Sequence, residues 1–204
     1  DVICEKPLVL NTWNVDALIE LENEYKNKVH TILQLRHHEA ILELKKKIEK
    51  GPKDKIYDID LTYITSRGNW YFTSWKGNED KSGGIASNIG VHFFDMLQWI
   101  FGPFEAATVD IKTKDTNSGT LKFKQANVNW YLSINAENLP PDIKSKGQST
   151  FRTLTIEDKE IEFSKGFTDL HTVSYQKIIE GQGYGLKDAR NSIEIVSQIR
   201  NKEI

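Results

Sequence analysis

Asn88, His92 and Asp95 stand four and three residues apart in the segment Gly83–Leu97. On a helix that spacing puts them on one face. An imidazole, a carboxylate and an amide together can move a proton and hold a hydroxyl. Ile85, Ile89, Met96, Leu97 and Ile100 surround them with apolar surface, so the polar stripe points at a cavity, a partner or water. Gly90 lies inside the stripe and costs about 1 kcal/mol relative to alanine in a helix interior. That placement implies a close approach to the backbone. A buried His–Asp hydrogen bond that only fixes packing accounts for the same spacing.

Lys6 is the second candidate. It ends the apolar run Val2-Ile3-Cys4 and precedes Pro7. Strand ends are where open α/β sheets take ligands, and an X-Pro bond can be cis and re-aim the side chain before it. The alternative is a solvated lysine. The third candidate is the run Thr65–Gly77, which mixes Trp70, Tyr71, Phe72 and Trp75 with Arg67 and Lys76. Rings stack on planar groups and arginine forks hold phosphates or carboxylates, so the run reads as a nucleotide or sugar clamp. An oligomer contact would draw on the same residue types.

Other chemistries find less support. His30, His37, His38 and His171 have no metal-ligand spacing, and Cys4 is the single cysteine, so no metal site is expected. There is no G-x-G-x-x-G and no P-loop. Gly181-Gln182-Gly183-Tyr184-Gly185 is glycine-rich but joins two helices, where a dinucleotide fingerprint would follow a strand.

These residues must be placed by a recognisable order of elements. Val2–Cys4 reads as a strand. Residues 12–27 read as a helix capped by Asn11 or Thr12, with Trp13, Ala17, Leu18, Leu21 and Tyr25 as its stripe. Residues 29–35 read as a second strand, which makes the opening β–α–β. A helix over 39–49, with Ile41, Leu42, Leu44 and Ile48 apolar, stops at Gly51-Pro52. Residues 55–65 and 106–163 alternate polar and apolar, the pattern of a largely antiparallel sheet with one packed face and one solvated or associating face. Asn117-Ser118-Gly119 and Glu157-Asp158 are the expected hairpin turns. A helix over 84–101 lies between them and ends at Gly102-Pro103. Helices near 168–180, capped by Thr168, and 187–201 close the chain. Pro140–Ser149 reads as a flexible loop.

Composition excludes several classes. The 204 residues carry a net charge of −2, with 38% hydrophobic and 27% charged side chains. No apolar run approaches a bilayer span. A near-neutral balance argues against nucleic-acid binding, and one cysteine fits a reducing, cytoplasmic compartment.

Glu5-Lys6-Pro7, Gly83-Gly84 and Asn88-x-Gly90-x-His92-x-x-Asp95 together resemble the Gfo/Idh/MocA family of NAD(P)-dependent oxidoreductases. Thr31–Arg36, Thr62–Gly68, Ser74–Gly77 and Asp169-Leu170-His171 resemble its branch of UDP-N-acetyl-2-amino-2-deoxyglucuronate 3-dehydrogenases. The resemblance implies an α+β fold. Residues 1–35 would be the remnant of an N-terminal NAD-binding Rossmann domain. Residues 36–204 would be an open, mostly antiparallel sheet with helices on one face and oligomer contacts on the other. It implies oxidation of a sugar C3 hydroxyl with NAD, in bacterial surface polysaccharide synthesis. Lys6, His92 and Asn88 would be catalytic, and Asp95 would hold the histidine tautomer. Asn88 replaces an aspartate common in the family, and an amide cannot take a proton, so the base is Lys6 or His92. Gln34, Arg36, Arg67, Tyr71, Trp75, His171 and Tyr175 would contact a UDP-sugar, and Glu5, Lys6 and Pro7 the cofactor. A homodimer or homotetramer is implied. The chain reads as a truncated product that folds, associates through its sheet and does not turn over alone. Two alternatives stay open: a family member acting on another sugar or inositol, and a non-catalytic sugar-binding module.

Overall fold

The computed structural model describes residues 1–161 and 169–203. Two sheets share the chain. β1 (Val2–Cys4) and β2 (Val29–Thr31) pair in parallel around α1 (Thr12–Tyr25), as the β–α–β pattern predicts. β2 is shorter than its apolar run. The chain leaves the sheet after Thr31 and makes a 3-10 turn over Gln34–His37, which buries Leu35 and Arg36. The predicted stripe of α1 meets its buried face only at Leu18. Val15 is buried, with Leu18 and Ile19 packed beside it, while Trp13 is 67% exposed and Leu21 and Tyr25 are exposed too. The partner surface decides this, because Leu186, Ile193 and Val29 lie against the Val15 side. Asn11 does not cap α1 with its side chain, which instead accepts a hydrogen bond from Arg200.

α2 (Glu39–Lys50) ends at Gly51 as expected and buries Ile41, Leu44 and Ile48. The second sheet has six strands: β3 (Tyr57–Thr65), β4 (Phe104–Lys112), β5 (Thr116–Phe123), β6 (Ala126–Ser133), β7 (Thr150–Ile156) and β8 (Lys159–Glu160). Their spatial order is β4-β5-β6-β3-β7-β8. Every pairing is antiparallel except β3 with β6. Register and alternation agree. Ile59 and Leu61 of β3, Val128 and Trp130 of β6, and Leu154 of β7 share the buried face. The opposite face is polar: Asn129 donates to the Asp60 carboxylate at 2.9 Å, and Thr108 and Thr120 share a hydrogen bond at 2.9 Å. Cross-strand polar pairs of this kind pin register.

Short helices α3 (Trp70–Thr73) and α4 (Glu79–Ser82) lie between β3 and the central helix α5 (Val91–Phe101). α5 packs its Phe93, Phe94, Met96, Leu97 and Phe101 on the sheet, with Phe94 edge-on to Trp130 at 5.6 Å. α6 (Pro141–Ser145) occupies the segment expected as a loop, because Pro141 is a favourable first-turn residue. α7 (Leu170–Ile179) precedes β9 (Tyr184–Gly185), which pairs with β2. Thr168, the expected cap, lies outside the described residues, as do 162 and 163. α8 (Leu186–Asn201) bridges both layers, placing Leu186 and Ile193 under α1 and Ile195, Val196 and Ile199 in the main core.

Glu157-Asp158 closes the β7–β8 hairpin with two positive φ angles, as expected. Asn117-Ser118-Gly119 is not a turn; it lies inside β5, and the chain reverses at 113–115 instead. Gly119 serves a bulge. The β4–β5 register shifts between Val109 and Ile111, and a Cβ on Gly119 would stand 2.1 Å from the Thr108 carbonyl oxygen. Gly119→Ala therefore forces the strands apart. We expect a loss of about 1–3 kcal/mol, read as a lower urea midpoint with unchanged slope.

Candidate active site

A cavity of about 270 Å3 opens where the two sheets meet. Lys6 enters it from the end of β1, Gln34 from the turn after β2, Tyr63 from β3, Arg152 from β7 and His171 from the start of α7. Arg67, Trp70, Tyr71 and Lys76 come from the segment after β3, and Asn88 and His92 from the entry to α5. That entry is a π-helical turn over Ala86–Gly90, a distortion frequent at functional sites. The approach that Gly90 implied is real: a Cβ there would lie 2.7 Å from Leu132 and 2.8 Å from Phe94.

The floor of the cavity is wired together. The Lys6 ammonium donates to the Asn88 carbonyl oxygen at 2.5 Å. The Asn88 amide donates to the Tyr71 hydroxyl at 3.1 Å, which leaves the amide oxygen as acceptor for a ligand hydroxyl. The Lys6–Pro7 peptide is cis. Burial pulls the Lys6 amine down to about 8; the Glu5 carboxylate opposes this, while Lys76 and Arg67 add to it. His92 titrates well below the ordinary imidazole range, because burial and the neighbouring Lys6, His171 and Arg152 disfavour its cation. It is neutral at pH 7. Burial raises the Tyr71 phenol, with Asn88 and Arg67 working the other way. Among the described residues no carboxylate lines the cavity, so it suits an anionic ligand.

The structure thus brings together Lys6, Gln34, Arg67, Tyr71, Asn88, His92 and His171 of the residues singled out in the sequence. Glu5 stands at the edge, with its carboxylate 3.3 Å from the His171 imidazole, and Pro7 follows the cis bond without lining the cavity. Four expectations change. Arg36 faces away from the cavity: it is 6% exposed, donates to Asp95 at 2.7 and 2.9 Å and to Asp188 at 3.1 Å, and lies under the Tyr184 ring at 4.6 Å. Asp95 is therefore committed to Arg36 and does not hold the His92 tautomer. Trp75 sits outside the cavity with its indole exposed. Tyr175 is one helical turn beyond His171, past the cavity, and is exposed. Arg152 and Tyr63 are lining residues that spacing did not reveal. A signal existed, since Arg152 shares the inward parity of Leu154 and Ile156 on β7.

No helix among the described residues is long and apolar enough to cross a membrane. Comparison with known proteins follows the same line. Residues 45–139 match the C-terminal alpha/beta domain of the Gfo/Idh/MocA oxidoreductase family. The WlbA (WbpB) dehydrogenase of Thermus thermophilus in complex with NAD and alpha-ketoglutarate is 42% identical over 99% of this chain, with a TM-score of 0.94. The same enzyme in complex with NAD and UDP-GlcNAcA gives 40% identity and a TM-score of 0.93. Levoglucosan dehydrogenase of Pseudarthrobacter phenanthrenivorans is 29% identical over 55% of this chain. The chain spans 64–65% of the two Thermus chains and 30% of the levoglucosan enzyme. With Lys6, Asn88 and His92 gathered between a parallel strand end and a half-polar open sheet, residues 45–139 carry the Gfo/Idh/MocA C-terminal α/β domain, and the chain is closely related, at 40–42% identity, to a WlbA/WbpB-type dehydrogenase.

Proposed function

We propose that this chain is the substrate-binding part of an NAD-dependent dehydrogenase that oxidises the C3 hydroxyl of a UDP-N-acetylglucosaminuronic-acid-type sugar, in bacterial surface polysaccharide synthesis. The observation that carries the reading is the meeting of a depressed lysine, a neutral histidine and an asparagine on the floor of a cationic cavity. The 40% identity to a protein solved with NAD and UDP-GlcNAcA supports the choice of ligands.

Alcohol oxidation needs the hydroxyl proton removed as hydride leaves the same carbon. Lys6 in its amine form takes that proton, and a value of about 8 makes the amine available near neutral pH. His92, being neutral, hydrogen-bonds the same hydroxyl and does not add a charge that would hold the proton back. Asn88 accepts from a neighbouring hydroxyl and fixes the ring. The donor set fits a dinucleotide, since Lys6 meets the cavity at the carboxyl end of a parallel strand pair, the place where such sheets take nucleotides. Glu5, Lys6 and Pro7 would hold its reactive end, and bound NAD supplies the hydride acceptor. Arg67, Lys76 and Trp70 hold the nucleotide diphosphate.

The same reading makes residues 1–35 part of the NAD-binding domain and 36–204 the substrate domain. β9 and α8 tie the second back to the first through β2 and α1. It also makes the polar outer face of the six-stranded sheet the oligomer contact, and the cytoplasm the place of action. The assay is direct. Full-length protein with UDP-GlcNAcA and NAD+ should accumulate NADH and a 3-keto sugar. Turnover of free sugars or inositol with none of UDP-GlcNAcA would replace the substrate, and sugar binding unaffected by NAD+ would favour a non-catalytic module.

A further inference from the structure

The phenol of Tyr71 and the amide of Asn88 stand side by side on the cavity wall, 3% and 8% exposed. Their hydrogen bond has a direction. The amide nitrogen donates to the phenol oxygen at 3.1 Å. A hydroxyl both donates and accepts, so the phenol alone would tolerate the amide turned over. The charges decide. Lys6, Arg67 and Lys76 face the same cavity, and side-chain amide dipoles orient in the protein field. The amide oxygen turns to the cations and the nitrogen to Tyr71.

That direction leaves Tyr71 with a proton to give. Its oxygen accepts from Asn88, and among the described residues its own O–H has no acceptor. Burial raises the phenol, so the proton stays on it through neutral pH. Both partners are held in place. The Tyr71 N–H donates to the Gly68 carbonyl at 3.0 Å, and the Tyr71 carbonyl accepts from the Ser74 hydroxyl at 2.8 Å. The rings of Trp70 and Phe72 flank it edge-on at 5.9 and 5.7 Å. Asn88 is tied from the other side, where its carbonyl accepts from Lys6 at 2.5 Å.

A donor, the Tyr71 O–H, thus lies beside an acceptor, the Asn88 amide oxygen. One ligand group answers both: a hydroxyl, which accepts from Tyr71 and donates to Asn88. Three hydrogen bonds then run one way around a closed ring, from amide nitrogen to phenol, phenol to ligand, and ligand to amide oxygen. Bonds chained in this way polarise one another. A 2-acetamido sugar with its C3 hydroxyl at Lys6 and His92 has one neighbouring ring hydroxyl, on C4. We propose that Tyr71 is a binding residue that donates to the C4 hydroxyl, in a one-way ring whose direction Asn88 sets. This rests on the dehydrogenase reading of the same cavity.

Calorimetric affinities of the full-length protein for UDP-GlcNAcA and its 4-deoxy analogue test the ring. Wild type should bind the analogue about 100-fold more weakly, the scale of two neutral hydrogen bonds. Tyr71→Phe keeps the aromatic ring and its edge contacts. It should weaken UDP-GlcNAcA about tenfold and leave the analogue unchanged. Asn88→Asp reverses the direction, because a carboxylate only accepts and takes the phenol proton. Adding Tyr71→Phe to it should therefore cost about twofold at most, a coupling read as a double-mutant cycle. Equal wild-type affinity for the two sugars overturns the ring. So does an equal loss on both sugars in a Tyr71→Phe protein whose circular dichroism is unchanged, or the same tenfold loss in the Asn88 and Asp backgrounds. NADH formation is a separate readout: binding without turnover fails the dehydrogenase reading and leaves the affinities to decide the ring. Wild type that binds neither sugar overturns both.

Discussion

Lys6→Met in the full-length protein should lower kcat for C3 oxidation by about 1,000-fold, within the usual range for loss of a positioned base, while KM for the UDP-sugar moves little. Methionine keeps the length and apolar stem of lysine, so the cavity stays filled. The pH profile identifies the base. An amine must be deprotonated to accept a proton, so wild-type kcat/KM should rise about tenfold per pH unit below the Lys6 value of about 8 and level off above it. In Lys6→Met that rising limb should vanish. His92 makes a different prediction, because its titration lies well below the ordinary imidazole range. A histidine base would give a profile already flat through neutrality. Initial rates across pH for both proteins separate the two, and a rising limb near pH 8 that survives in Lys6→Met would move the base away from Lys6.

What could be read in the sequence was what rests on neighbours along the chain. Lys6 is at a strand end because Val2–Cys4 are apolar and Pro7 stops them. Asn88 and His92 share a face because four residues make about one turn, and the π-helical turn between them does not part them. The alternation of β3, β6 and β7 gave the sheet its two faces. What could not be read depends on partners far along the chain. Asp95 has His92 beside it in sequence, yet it pairs with Arg36, 59 residues away, because the 3-10 turn after β2 swings that guanidinium under α5. The buried side of α1 is set by α8, which no local periodicity reports. Gly119 looked like a turn residue and is a close-approach residue, since glycine answers both needs and only the Thr108 carbonyl tells which. Arg152 was missed because a lone arginine in a strand is ordinarily solvated; its inward parity was the evidence.

Asp95→Ala should cost about 3 kcal/mol of stability, near the low end for breaking a buried ion pair. Arg36 is 6% exposed and Asp95 3%, so the guanidinium that loses its carboxylate cannot turn to water. Asp188 stays at 3.1 Å, with its side chain 40% exposed, which keeps the loss from the upper end. The Trp99 and Tyr184 rings at 5.6 and 4.6 Å still receive the cation, but a ring face replaces only part of a bidentate carboxylate. A urea midpoint well below wild type is the expected result, and one within experimental error of it would show that Asp188 and the rings suffice. The double variant Arg36→Met with Asp95→Leu should recover most of the loss, since well-packed apolar residues commonly match a buried pair in stability. Such a rescue would not restore the site. Arg36 ties the turn that carries Gln34 to α5, which carries His92, so two walls of the cavity are held in register by the pair. Stability regained without turnover would therefore be the mark of a contact whose function is to position the cavity walls.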